Sequence, residues 1–98
     1  AYTDAVCQIE FTSVGVKTSD GVEAYSSKKI ATFHKDGSAN NTLVGSVTTV
    51  HSQENAATNT PDVTISASGA NIRVAYGLGG GIDTYQWTIM ARVTVTQL

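Results

Sequence analysis

The chain has 98 residues, with six Lys and Arg against eight Asp and Glu for a formal charge of −2, and 41% of its residues are hydrophobic. That is the size of one domain, 1–98, and such a chain hides only about two-thirds of its unfolded surface when it folds alone. A single cysteine, basic residues clustered only at Lys28-Lys29, and no apolar run near the roughly 20 residues that cross a bilayer disfavour three classes: a disulfide scaffold, a phosphate-gripping nucleic-acid binder and a membrane-inserted chain.

Subunit association remains as a support for so lean a core. Cys7 alternates with Ile9 and Phe11 and reads as a small buried hydrophobe. Ala1-Tyr2-Thr3-Asp4 has neither the basic nor the apolar region of a signal peptide. A chain that starts without methionine and runs almost at once into a strand pattern is expected to be a soluble module of a longer protein.

Apolar alternation of period two recurs along the chain, in segments rich in Val, Thr, Ile and Tyr, and no stretch keeps a helical period over three turns. The first strand is predicted over 5–17. Cys7, Ile9 and Phe11 share one face, and Val14 and Val16 take the opposite parity, so a bulge or bend is expected near Ser13. Asp20-Gly21 reads as a turn, and a second strand over 22–35 is expected to break near Ser26-Ser27. Asp36-Gly37 closes it.

Residues 38–41 form a polar loop. A third strand over 42–51 carries Leu43, Val44, Val47 and Val50 on both faces and is expected to be covered on both. Residues 52–61 read as an exposed loop, with one helical turn around 54–57 capped by Ser52. Val63, Ile65 and Ala67 then alternate up to the tight turn 68–71, and Ile72, Val74 and Tyr76 alternate back, the clearest hairpin in the chain.

Residues 77–83 form a glycine-rich connection. The last strand, over 84–97, puts Tyr85, Trp87, Ile89, Ala91, Val93 and Val95 on one face. At roughly 3.3 Å per residue it reaches about 45 Å, and something must cover its whole length. Six to seven strands with regularly spaced turns predict an all-β fold, an antiparallel β-sandwich of jelly-roll-like type.

Residues that could carry chemistry have plainer readings. The glycine run fails the dinucleotide fingerprint because Ile82 takes its last glycine position, and a strand rather than a helix follows, so no phosphate-binding helix terminus is present. His34 and His51 could meet across strands with Asp36 or Glu54, but they lack metal-ligand spacing, and no metal or other cofactor is expected. No serine sits in a nucleophile elbow. Asp20, Glu23, Asp36, Glu54, Asp62 and Asp83 fall nearly all at turns, where acids are ordinary, so no catalytic residues are assigned. Trp87 could stack on a sugar, but it shares parity with Ile89 and Val93 and is expected in the core or at a subunit interface. Asn40-Asn41-Thr42 is a formal glycosylation sequon.

Several stretches together resemble the small C-terminal β-domains of bacteriophage tail fibres, tailspikes and related virion proteins. These are Ala24-Tyr25 through Ile30 to His34-Lys35-Asp36-Gly37, then Leu43-Val44-Gly45-Ser46-Val47-Thr48, then Val63-Thr64-Ile65 to Asn71-Ile72-Arg73-Val74. The strongest is the ending, Trp87-Thr88-Ile89-Met90-Ala91-Arg92-Val93-Thr94-Val95. The likeness covers about residues 22 to 98, as a pattern of strands and turns without a catalytic signature. The glycine-rich loop before the last strand is longer than that pattern expects.

The resemblance implies a non-enzymatic homotrimeric module on the extracellular virion that helps assemble a fibre or spike and contacts a cell-surface glycan. On that basis Tyr25, Asn40, Asn55, Asn59 and Asp83 are candidate receptor contacts, and Met90, Arg92 and Trp87 are candidate subunit contacts. The alternative is a carbohydrate-binding module of another surface or secreted protein.

Overall fold

In an extended chain successive side chains point to opposite faces, so the period-two pattern becomes strands with one apolar and one polar side. The computed structural model describes residues 4–19, 21–37, 40–55, 61–79 and 84–97. Six strands are formed: β1 Ala5–Lys17, β2 Ala24–Lys35, β3 Asn41–Glu54, β4 Pro61–Ser68, β5 Asn71–Leu78 and β6 Tyr85–Gln97. The fold is all-β and sandwich-like. Four antiparallel strands in the order β3-β2-β1-β6 make one sheet, and the β4-β5 hairpin makes the other.

Odd-numbered residues of β1 and β2 face inward. Ile9, Phe11, Ala31 and Phe33 from the large sheet form the core with Ile65 of β4, and Leu43, Val47, Ile72, Val74 and Ile89 pack around it half-buried. Phe33 and Val63 have no exposed surface at all. The hairpin lies with β4 against β3 and β2. It turns through Gly69-Ala70, a two-residue loop that needs the positive φ Gly69 supplies (57°).

Two polar clamps hold the hairpin down. At its tip the backbone N–H of Asn41 donates to Gly69 O (2.8 Å) and the Asn41 side-chain amide donates to Ala70 O (2.8 Å). Near its base Lys29 donates to Val63 O (2.6 Å) and pairs with Asp62 (3.2 Å). Asp62 is largely exposed, so the bond to the half-buried carbonyl is the stronger part of this clamp.

Several expectations are corrected. β1 has no bulge at Ser13: its register with β2 and with β6 is unbroken. Val14 and Val16 are simply exposed on the outer face, and the inner positions beside them are taken by the small Ser13 and Gly15. β2 likewise runs unbroken through Ser26-Ser27. The irregularities lie in β3, which slips from Thr48 to Val44 against Ile30 and Thr32, and from His51 to Thr49 against Lys28 and Lys29. Gly45 sits in the first slip at φ 71°, a conformation few side chains adopt.

β3 is not covered on both faces, since Val44 and Val50 are exposed. Nor do residues 52–54 leave the sheet. They continue β3 as polar edge residues, which removes the expected Ser52 cap, and residues 56–60 lie outside the described residues. Pro61 opens β4 and is buried; Gly77 and Leu78 belong to β5.

Ser13 and Ser27 stand opposite one another on the inner face, each 1% exposed, and among the described residues neither hydroxyl has a hydrogen-bond partner. A buried unpaired hydroxyl costs stability that alanine would not. Ser27→Ala is therefore expected to be neutral or to raise stability by about 1 kcal/mol, read as a urea midpoint at unchanged slope. A clear loss of stability would show that the hydroxyl is bonded.

Candidate functional site

β6 divides into two halves that meet different surroundings. In the first half Trp87 stands beside Gly15 of β1, and a Cβ on Gly15 would come within 3.0 Å of the indole. Glycine is thus the residue that lets the ring lie on the backbone of β1. Tyr25 meets Trp87 edge-on (5.5 Å between centroids), Tyr85 lies tilted at 5.7 Å, and Tyr76 reaches it from β5 at 5.8 Å. Tyr25 is buried, Trp87 and Tyr85 are half-buried, and Tyr76 is 58% exposed. The four rings close the end of the sandwich that the hairpin tip does not reach.

Beneath this cluster Glu23 is buried just before β2. Lys17 approaches its carboxylate at 3.3 Å and the Tyr85 hydroxyl donates to it at 3.1 Å. Burial first, and then the bond to and charge of Glu23, push the Tyr85 phenol above its usual 10.0. Thr18 and Thr84 fasten the two strand ends beside it through a backbone bond (2.9 Å) and a hydroxyl pair (2.6 Å).

In the second half of β6 the inner face is bare. Ala91, Val93 and Val95 are exposed, the two valines by 54% and 59%, although they sit in register with Phe11, Ile9 and Cys7 of β1. The outer face carries threonines with Met90, 68% exposed, and Arg92. Arg92 stands across from Glu10, which is ion-paired to Lys28. The hydrogen bond from Lys28, with the charges of Lys28 and Arg92, outweighs desolvation and holds the Glu10 carboxyl below the usual carboxylate range. A basic-acidic-basic row therefore crosses β2, β1 and β6 on the outer face.

Of the candidate receptor contacts, Tyr25 and Asn55 line one groove, and Asn40 lies apart from them. Tyr25 is spent in the aromatic cluster. The Asn55 side chain accepts from Ala24 N (2.6 Å) and donates to Val22 O (3.1 Å), so it ties the end of β3 to the start of β2. Asn40 exchanges backbone and side-chain bonds with Asp36 in the β2-β3 turn. Asn59 and Asp83 lie outside the described residues. That open groove, of about 380 Å³, is lined by Val14, Ala24, Tyr25, Ser26, Gln53, Glu54 and Asn55, with Glu54 its one charged residue.

Nor do the histidines meet. His51 is opposite Lys28 and His34 opposite Thr42, about 20 Å apart along the strand. His34 instead approaches Asp4 at 4.0 Å. Among the described residues no three His, Cys, Asp or Glu side chains converge on a point. Sequence reasoning missed Gly15 and the Tyr76 contact, and it took Glu23 for an ordinary turn acid where the structure buries it. Gly15 had one available signal, a glycine at an inward parity position of a long strand.

Gly15→Ala is expected to displace Trp87, shift its emission and lower stability by about 1–3 kcal/mol, read by fluorescence-detected unfolding. Tyr85 gives a pH signature. Its folded-state value is raised, so its contribution is complete below about pH 10 and is lost as pH rises through the folded value. The fall in stability above pH 10 should be steeper in the unsubstituted chain than in Tyr85→Phe, and parallel alkaline curves would refute the coupling.

In comparisons with known proteins, no family model, no curated protein and no solved structure matches this chain.

Proposed function

We propose that this domain is a non-enzymatic module of a phage-type virion tail, part of an extracellular fibre or spike, where it holds three copies of its chain together and presents a surface to the host receptor. The observation that carries the reading is an excess of surface. The chain exposes 6074 Å², whereas a compact monomer of 10.2 kDa exposes about 5,300 Å². Its radius of gyration is 15.6 Å against about 13 Å for a compact domain of this length. The difference, on the order of 750 Å², is close to the roughly 800 Å² that each partner buries in a stable interface. A surface that large suits a chain that finishes its burial against copies of itself. The resemblance of residues 22 to 98 to virion tail domains supplies the setting.

A second reading, a carbohydrate-binding module of another surface protein, has the exposed ring of Tyr76 beside Trp87 in its favour, because sugars stack on such rings. Quenching of Trp87 emission by added glycans in a monomeric protein would favour it.

Light scattering on a dilution series decides between the two. The expected mass is three times the 10.2 kDa chain, persisting on dilution. A monomer at all concentrations would overturn the trimer and leave the glycan-binding module as the better account.

A further inference from the structure

We infer that the copies meet through the inner stripe of β6, at Ala91, Val93 and Val95, with Cys7 beside it, and not through the outer face that carries Met90 and Arg92. This rests on the trimer reading and names the surface that the trimer buries.

Four observations lead to this surface. The stripe continues the core: Ala91, Val93 and Val95 stand in register with Phe11, Ile9 and Cys7, yet β4 lies over β3 and β2 and leaves them uncovered. Three aliphatic positions in a row facing water are what a monomer avoids and an interface centre uses. Second, the stripe carries no charge. Arg92, the one charged residue of β6, points to the other face and stands against Glu10. Identical stripes can therefore face each other without like-charge contact, whereas a charged partner finds nothing to pair with there.

Third, the two edges of the large sheet are treated differently. β3 carries two slips in register and Gly45, the devices that blunt an edge against other chains. β6 has no slip, no proline and no lysine, and among the described residues its outer edge has no neighbouring strand. Finally, the stripe adjoins that open edge. Residues 91–97 span about 23 Å, and a strip that long and about 15 Å deep presents on the order of 350 Å² per copy, about half of what each partner buries in a standard interface, so the edge of β6 supplies the remainder.

Val93→Glu and Val95→Glu test the assignment, with Met90→Glu as the control for the outer face. Both valines are more than half exposed in a single chain, so a carboxylate there leaves the isolated domain folded, which circular dichroism and a cooperative melt verify. The expected result is a threefold drop in mass for the two valine variants and an unchanged trimer for Met90→Glu. Alkylation of Cys7 gives a second readout: its rate should be at least ten-fold higher in the dissociated valine variants than in the unsubstituted trimer. An unsubstituted trimer that both valine variants leave intact, or that only Met90→Glu dissociates, overturns this surface and keeps the trimer. An unsubstituted monomer overturns both.

Discussion

The inner face of the large sheet must be covered by a hairpin that is both shorter and narrower, and the rest of the structure answers to that mismatch. Four strands of 12 to 14 residues lie opposite two strands of eight. Where the hairpin reaches, aliphatic and aromatic side chains interdigitate around Phe33 and Val63 with no surface left over. Because so small a lid gains little from area alone, its position depends on directed contacts, Lys29 under β4 and Asn41 at the tip. At one end four rings substitute for the missing lid, and Tyr85, Glu23 and Lys17 close the gap beneath them. On the β6 side nothing among the described residues substitutes, and the valines are exposed.

The outer face shows the opposite economy. Among the described residues it has no second layer, and it carries the threonines of β6 and the row from Lys28 through Glu10 to Arg92. That row keeps one net positive charge, two cations to one carboxylate, while the inner stripe has no charge at all. The two faces of one strand therefore differ in what they can accept, and this difference turns an all-β scaffold into a specific proposal about assembly.

Much of the fold was legible in the sequence because a strand with one dry face writes its geometry as period two. β1 could be placed to its end residues, the β4-β5 hairpin was evident from paired alternations around Ser68-Gly69-Ala70-Asn71, and the two faces of β6 were separated correctly. The failures share a cause. Val14 and Val16 resembled a change of phase because the inner positions beside them are filled from other strands, by Tyr25 and Trp87. Residues 52–54 resembled a loop because an edge strand wet on both faces has the composition of one. That the whole of β6 needs cover was evident in its sequence, but which part the hairpin leaves bare was not. Which part of β6 is covered depends on how far the hairpin extends and which strands it overlies, and no local pattern encodes that. The pattern of β6 suggested Met90 and Arg92 on the outer face, with Trp87 on the inner, as subunit contacts, whereas burial and charge lead to the inner stripe beyond Trp87.

The register of β1 with β6 has a kinetic consequence. The neighbours β1-β2, β2-β3 and β4-β5 are close in sequence and can pair early, but Lys17 finds Tyr85 and Ala5 finds Gln97 only across roughly 70 to 90 residues of chain. Contacts so distant in sequence are slow to close, so β6 is expected to dock late. Until it docks, β1 is an open edge and the valine stripe does not exist as a surface. In the proposed trimer the contact surface would thus arise only once β6 has docked, so an incompletely folded chain would be left out of the assembly without any separate proofreading.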